Sequence, residues 1–123
     1  AVMWWCGYDC DALHELHLQM LRGTWYLEVN NSAYDHDMFI VSVSPTGELT
    51  GYGGYPAGSG PTYPWPYNWT LVGQVTGSDV EMTLSYQNTY TATITGTIAP
   101  TWDFMSGGAG TGGVVNWQAT KVA

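Results

Sequence analysis

Asp79–Ile98 reads DVEMTLSYQNTYTATITGTI, and both of its halves alternate. In the first, Val80, Met82, Leu84 and Tyr86 face one way against Glu81, Thr83 and Ser85. In the second, Tyr90, Ala92, Ile94, Gly96 and Ile98 alternate with Thr91, Thr93, Thr95 and Thr97. A period of two residues turns one set towards a core and the other towards water, the pattern of a half-buried strand. SYQNTY between them predicts a tight hairpin.

The rhythm continues on both sides. TWYLEVN places Trp25, Leu27 and Val29 on one face, and YNWTLVGQV does the same for Trp69, Leu71, Gly73 and Val75. DMFIVSVS and ELTGYGG predict two further strands around an SPTGE turn, TWDFMS a seventh, and GVVNWQATK an eighth with Val115, Trp117 and Ala119 on one face. About eight short antiparallel strands predict a mostly β fold, an up-and-down barrel that leaves no open sheet edge. A β-sandwich is the alternative.

Ahead of the strands the period changes. In DALHELHLQMLR, residues 11–22, Leu13, Leu16, His17, Met20 and Leu21 recur at helical spacing. Asp9 and Asp11 suit the start of such a helix, Arg22 its last turn and Gly23 its end. The expected organisation is an aromatic arm over 1–10, a capping helix over 11–22 and a barrel over 23–123.

The chain has 123 residues, one domain's worth. Only 10% are charged, the formal net charge is −8, and Arg22 and Lys121 are the only bases. No basic stripe can be assembled, which excludes nucleic acid as a partner and disfavours anionic membrane surfaces. No apolar run reaches the roughly 20 residues of a membrane helix. AVMWW has neither a basic start nor a long apolar stretch, so a mature chain is expected. Low charge and two close cysteines suggest an extracellular or cell-surface setting.

GYGGYPAGSGPTYPWPY, residues 51–67, is rich in Gly and Pro and is expected to be irregular. It is either a long surface loop or part of an aromatic assembly surface. Together with the arm, that surface would comprise Val2, Trp4, Trp5, Tyr52, Tyr55, Tyr63, Trp65 and Tyr67.

RGTWYLEV, a Gly-x-Trp after a short helix, resembles the opening of the calycin barrels, the lipocalins and the avidin group. TGELTG, YNWTLVGQ and TATITGTI look like the strand order of the avidin type, so the resemblance spans about residues 22–121. It implies an apolar or biotin-like ligand in the barrel mouth. Asn30, Asn31 and Ser32 lie near the place where the avidin group brings small polar groups to its ligand. Where that group has tryptophan walls, between Met82 and Ile94, this chain has aliphatics, and a filled interior is expected. The resemblance also implies that the helix closes one barrel end, packing Leu13, Leu16 and Met20 near Trp25.

CGYDCDALHELH gathers Cys6, Cys10, His14 and His17. Residues 4–17 resemble the ligand loop of dinuclear copper-A sites, matching Cys-x3-Cys-x3-His but with His17 at the family's Met. Copper or zinc is therefore an alternative cofactor. Four ligands on one helix cannot converge on one ion, however, and a Cys6–Cys10 disulfide is the main expectation. HELH is one spacer short of a zinc-protease motif, and YDHD around His36 reads as a solvated turn. NNS at Asn30 and NWT at Asn68 are formal glycosylation acceptors.

The leading expectation is a non-enzymatic extracellular structural subunit that self-associates into an oligomer or filament, with no cofactor. A small-molecule-binding barrel is the alternative, and a copper or zinc protein the third.

Overall fold

The computed structural model describes residues 14–58 and 65–122. Eight strands follow in chain order: β1 Gly23–Val29, β2 Tyr34–Val43, β3 Glu48–Tyr55, β4 Tyr67–Thr76, β5 Asp79–Tyr86, β6 Thr91–Ile98, β7 Phe104–Gly107 and β8 Trp117–Lys121. Each pairs antiparallel with the next, and β8 returns to β1 from Trp25↔Lys121 to Val29↔Trp117. The sheet is a closed up-and-down barrel, not a sandwich.

The period-two faces are those of the sequence. Trp25, Leu27, Val29, Trp69, Leu71, Val75, Val80, Met82, Leu84, Ala92, Ile94 and Ile98 are all buried, while the intervening threonines of β6 face outward. The β5–β6 hairpin pairs Met82↔Ile94 and Leu84↔Ala92. The eighth strand is shorter than expected: it starts at Trp117, Val114 is buried and Val115 is 64% exposed.

Two adjacent glycines explain why β3 continues through GYGGY. A Cβ on Gly53 would stand 2.4 Å from Trp69 Cζ2, inside the barrel. A Cβ on Gly54 would stand 2.0 Å from Trp65 Cγ, on the outer face. Each glycine seats one indole, on opposite sides of one strand. Glycine here makes room for close approach rather than ending regular structure.

A short helix, α1, is helical at residues 14–19 and covers the end of the barrel formed by the turns at 44–47, 77–78 and 99–103. Its inward residues are Leu18 and Leu21, 1% and 0% exposed. Leu16 and Met20, expected at the barrel end, are instead 66% and 46% exposed. Leu13 lies outside the described residues. The last turn tightens, with Leu21 N–H reaching Leu18 O, so the buried pair is three apart. Gln19 Nε2 donates to Val43 O at 2.8 Å, and Trp25 Nε1 donates to Leu21 O at 2.8 Å. Trp25 is thus the floor on which the helix rests.

Truncating the plug should cost more than its position near the chain start suggests. Leu18→Ala is expected to lose about 2–5 kcal/mol in urea unfolding. Leu16→Ala should stay within about 0.5 kcal/mol of the parent. Equal losses would mean the helix packs on another face.

Candidate functional site

Among the described residues, the barrel end opposite α1 is open. A cavity of about 490 Å³ lies there, floored by Val29, Leu84, Ala92, Ile94 and Val114. Its upper wall is Tyr34, His36, Tyr55, Tyr67, Tyr86 and Tyr90. The filled interior expected from sequence therefore holds for only part of the barrel. Aliphatic and methionine side chains fill the end under α1, and the other end is a cup. Inward positions of β2 to β5 turn aromatic as they reach the rim: Tyr34 and His36, Tyr55, Tyr67, Tyr86.

His36 is the residue the sequence hid. YDHD is not a turn: β2 begins at Tyr34, and His36 is 5% exposed. Strand alternation turns the three residues opposite ways. Asp35 faces outward, accepting from Tyr26 Oη at 2.7 Å and Ser32 Oγ at 2.6 Å. Asp37 also faces outward, accepting from Gly58 N at 3.0 Å and Trp65 Nε1 at 3.2 Å. His36 faces the cavity. The usable signal was Tyr34, His36, Met38 and Ile40 at period two, masked by the two flanking carboxylates.

The imidazole is held at both nitrogens. Nδ1 lies 3.1 Å from Tyr34 O, a carbonyl that can only accept, so Nδ1 carries the proton. Nε2 then accepts from Tyr86 Oη at 2.8 Å. The rings of Tyr55, Trp69 and Tyr86 pack around it at 4.9, 6.1 and 6.2 Å. Burial lowers the His36 pKa below its ordinary 6.5, against smaller opposing effects of the Tyr34 carbonyl, Asp35, Leu27 and Asp37. Burial likewise raises the Tyr86 phenol, with Tyr90 and Tyr55 adding to it. Both groups are uncharged near neutral pH. The Tyr86 oxygen, having donated its proton to His36, still offers lone pairs to a ligand.

One side of the rim is tied by asparagines. Asn30, Asn31 and Ser32 are left-handed, with φ of 56°, 56° and 66°. Asn30 Nδ2 donates to Gly113 O at 3.1 Å, and its Oδ1 accepts from Val115 N at 2.7 Å. Asn31 N donates to Asn116 Oδ1 at 2.8 Å, and Asn116 Nδ2 returns a bond to Asn31 Oδ1 at 3.0 Å. The β1–β2 turn is thereby fastened to the β7–β8 connection. Asn30 spends both side-chain atoms on this tie, so its NNS triplet has a structural use.

Of the residues expected to form an assembly surface, the four that are described divide between the cavity and the outer wall. Tyr55 and Tyr67 line the cavity, whereas Tyr52 stacks on Phe39 at 5.1 Å on the outer wall. Trp65 is buried against Gly54 beside them. Val2, Trp4, Trp5 and Tyr63 lie outside the described residues, as do Cys6 and Cys10 with their disulfide or metal role. His14 and His17 belong to α1, where their rings contact Trp102 at 5.9 and 5.2 Å. Among the described residues, no three His, Cys, Asp or Glu side chains gather as a metal group. Nor is any helix among them long and apolar enough to cross a membrane.

The class these observations define is a closed eight-stranded antiparallel barrel with one plugged and one open end. No protein-family model matches the chain, and no curated protein shows significant similarity to it.

Because the folded state binds the His36 proton less readily than the unfolded chain does, stability should rise with pH through the His36 region. It is fully present above about 6.5, the unfolded value, and is lost as pH falls towards the lower folded value. His36→Gln should show a shallower fall in Tm between pH 7 and pH 5 than the parent. Parallel curves for the two proteins would contradict the buried neutral imidazole.

Proposed function

We propose that the chain is a small-molecule-binding barrel that holds a compact, largely apolar ligand in its open end. The observation that carries this reading is the cavity of about 490 Å³, apolar below and lined with phenols and one imidazole above. Ligand sites are concave and mainly apolar, with a few polar groups that set orientation. Tyr86 Oη is such a group, held in place by His36. An extracellular calycin-like binding protein is consistent with this architecture, the Gly-x-Trp of Gly23–Trp25 and the low charge. Binding rather than catalysis is favoured because, among the described residues, the titratable groups lining the cup are His36 and tyrosines.

The neutral dye Nile red should bind the full chain saturably at one site. Ala92→Phe, which adds bulk to the cavity floor, should abolish that binding while the protein stays folded by circular dichroism. Unchanged dye binding in a folded Ala92→Phe protein would place the site elsewhere.

Self-association is the second reading, and one observation favours it. Phe39, Tyr52 and Trp65 form a contiguous aromatic group on the outer wall, and nearby Val41 and Val72 are 52% and 56% exposed. Sedimentation at high concentration should then show oligomers that Tyr52→Ser weakens. A strictly monomeric protein would exclude it.

A further inference from the structure

We propose that the ligand carries a methylated ammonium group, held among the tyrosines of the open end. This rests on the ligand-binding reading above and adds the sign of the charge and its chemical form.

Five tyrosines converge on the cup: Tyr34, Tyr55, Tyr67, Tyr86 and Tyr90. They form two groups, Tyr34–Tyr55 at 5.9 Å with Tyr55–Tyr67 at 6.0 Å, and Tyr86–Tyr90 at 5.0 Å between ring centres. His36 joins them through Tyr55 at 4.9 Å and Tyr86 at 6.2 Å. A phenol ring has a negative face, and several such rings around one space attract a cation without an ion pair. A methylated ammonium suits this best. Its charge is spread over methyl groups, it gives up little hydration on entering, and its outer surface is apolar like the floor of Leu84, Ala92 and Ile94.

The charge distribution points the same way. The two bases of the chain, Arg22 and Lys121, lie at the plugged end; Lys121 Nζ donates to Met20 O of the α1 connection. Glu28, Asp35 and Asp37 sit on the outside of β1 and β2, next to the mouth. Acidic residues also stand at the plugged end (Glu15, Glu48, Asp79, Glu81 and Asp103), where Arg22 and Lys121 offset part of them. The net charge of −8 therefore draws cations and repels anions over the whole molecule, and among the described residues no Lys or Arg stands near the mouth to oppose this. Inside, His36 is neutral and adds no opposing charge.

The test compares choline with its uncharged isostere 3,3-dimethylbutan-1-ol by calorimetry on the full chain, with Nile red as a neutral probe. Choline should bind roughly tenfold or more tightly than the isostere and should displace the dye. Tyr34 and Tyr67 are about half exposed, so both can be replaced without opening the core. The Tyr34→Leu, Tyr67→Leu double variant should lose most of the choline preference, and the corresponding double Phe variant should keep it, because phenylalanine retains the ring face. If the isostere binds as well as choline and the dye still binds, the cationic assignment fails and the binding barrel stands. If choline, isostere and dye all fail to bind, both readings fall. A choline preference untouched by the Leu variants would place the cation outside this cup and overturn the proposal.

Discussion

The pairing of β8 with β1 is the constraint on which everything else depends. Once Trp25–Val29 accepts Lys121–Trp117 as its second neighbour, eight strands must enclose a fixed radius. That radius gives each inward side chain a limited volume, and residue size then decides whether a level is solid or hollow. Around Trp25 the interior is closed by Met38, Met82 and Met105, all fully buried. Methionine fills irregular gaps well, so three of them suit the junction between a sheet and a helix that plugs it. Towards the other end Ala92 is the small inward residue among Val29, Leu84, Ile94 and Val114, with Gly112 and Gly113 of the β7–β8 connection at the edge, and the centre is left unfilled. The tyrosines that follow stand at the rim and pack on one another instead of filling the centre.

The glycines of β3 make the same argument in reverse. Gly53 and Gly54 have no side chains to contribute, yet they fix where two indoles go. Trp69 takes the space inside and packs against His36, a wall residue of the cavity, at 6.1 Å. Trp65 takes the space outside, and its Nε1 reaches Asp37, which also receives Gly58 N–H. Two small residues thus couple the cavity wall to the anchoring of the connection between β3 and β4.

Much of this fold was legible in the sequence, because strand periodicity records only which side faces the core. Val80 to Tyr86 and Ala92 to Ile98 needed nothing further, and the hairpin between them could be read from its turn. What was not legible depended on the third dimension. Helical spacing put Leu16, Met20 and Leu21 on the α1 face; Leu21 is buried as expected, but a last turn of i to i+3 bonding pairs it with Leu18 and leaves Leu16 and Met20 outward. GYGG read both as the end of the third strand and as part of an irregular stretch, because glycine signals both loops and close packing, and only the position of the two indoles separates these. His36 read as solvated because Asp35 and Asp37 flank it, although in a strand immediate neighbours face opposite ways. The resemblance to ligand-binding barrels pointed to a barrel mouth, and a cavity lies at the end away from α1. The aliphatic run from Met82 to Ile94 nevertheless suggested a filled interior, since a run of inward residues does not show how far the ring of tyrosines stands above it.

Local costs in the structure are distributed unevenly, and their distribution supports the functional assignment. Among the described residues, five non-glycine residues have positive φ: Asn30, Asn31, Ser32 and Thr89 lie in the connections around the mouth, and Trp102 lies under α1. The buried imidazole is at the mouth end, where an aliphatic side chain would fill space without desolvating a polar ring. Trp69 Nε1, adjacent to it, is a buried donor without a partner, and Asn68 Oδ1 is a buried acceptor in the same condition. A chain selected only to close a barrel would spread such departures or remove them, as the plugged end largely does. Their concentration at one end of the barrel is expected where local consistency has been given up for a site. The tie between Asn30, Asn31 and Asn116 fits that view: it holds a left-handed turn rigid at the edge of the cup, so a ligand meets a rim already in place.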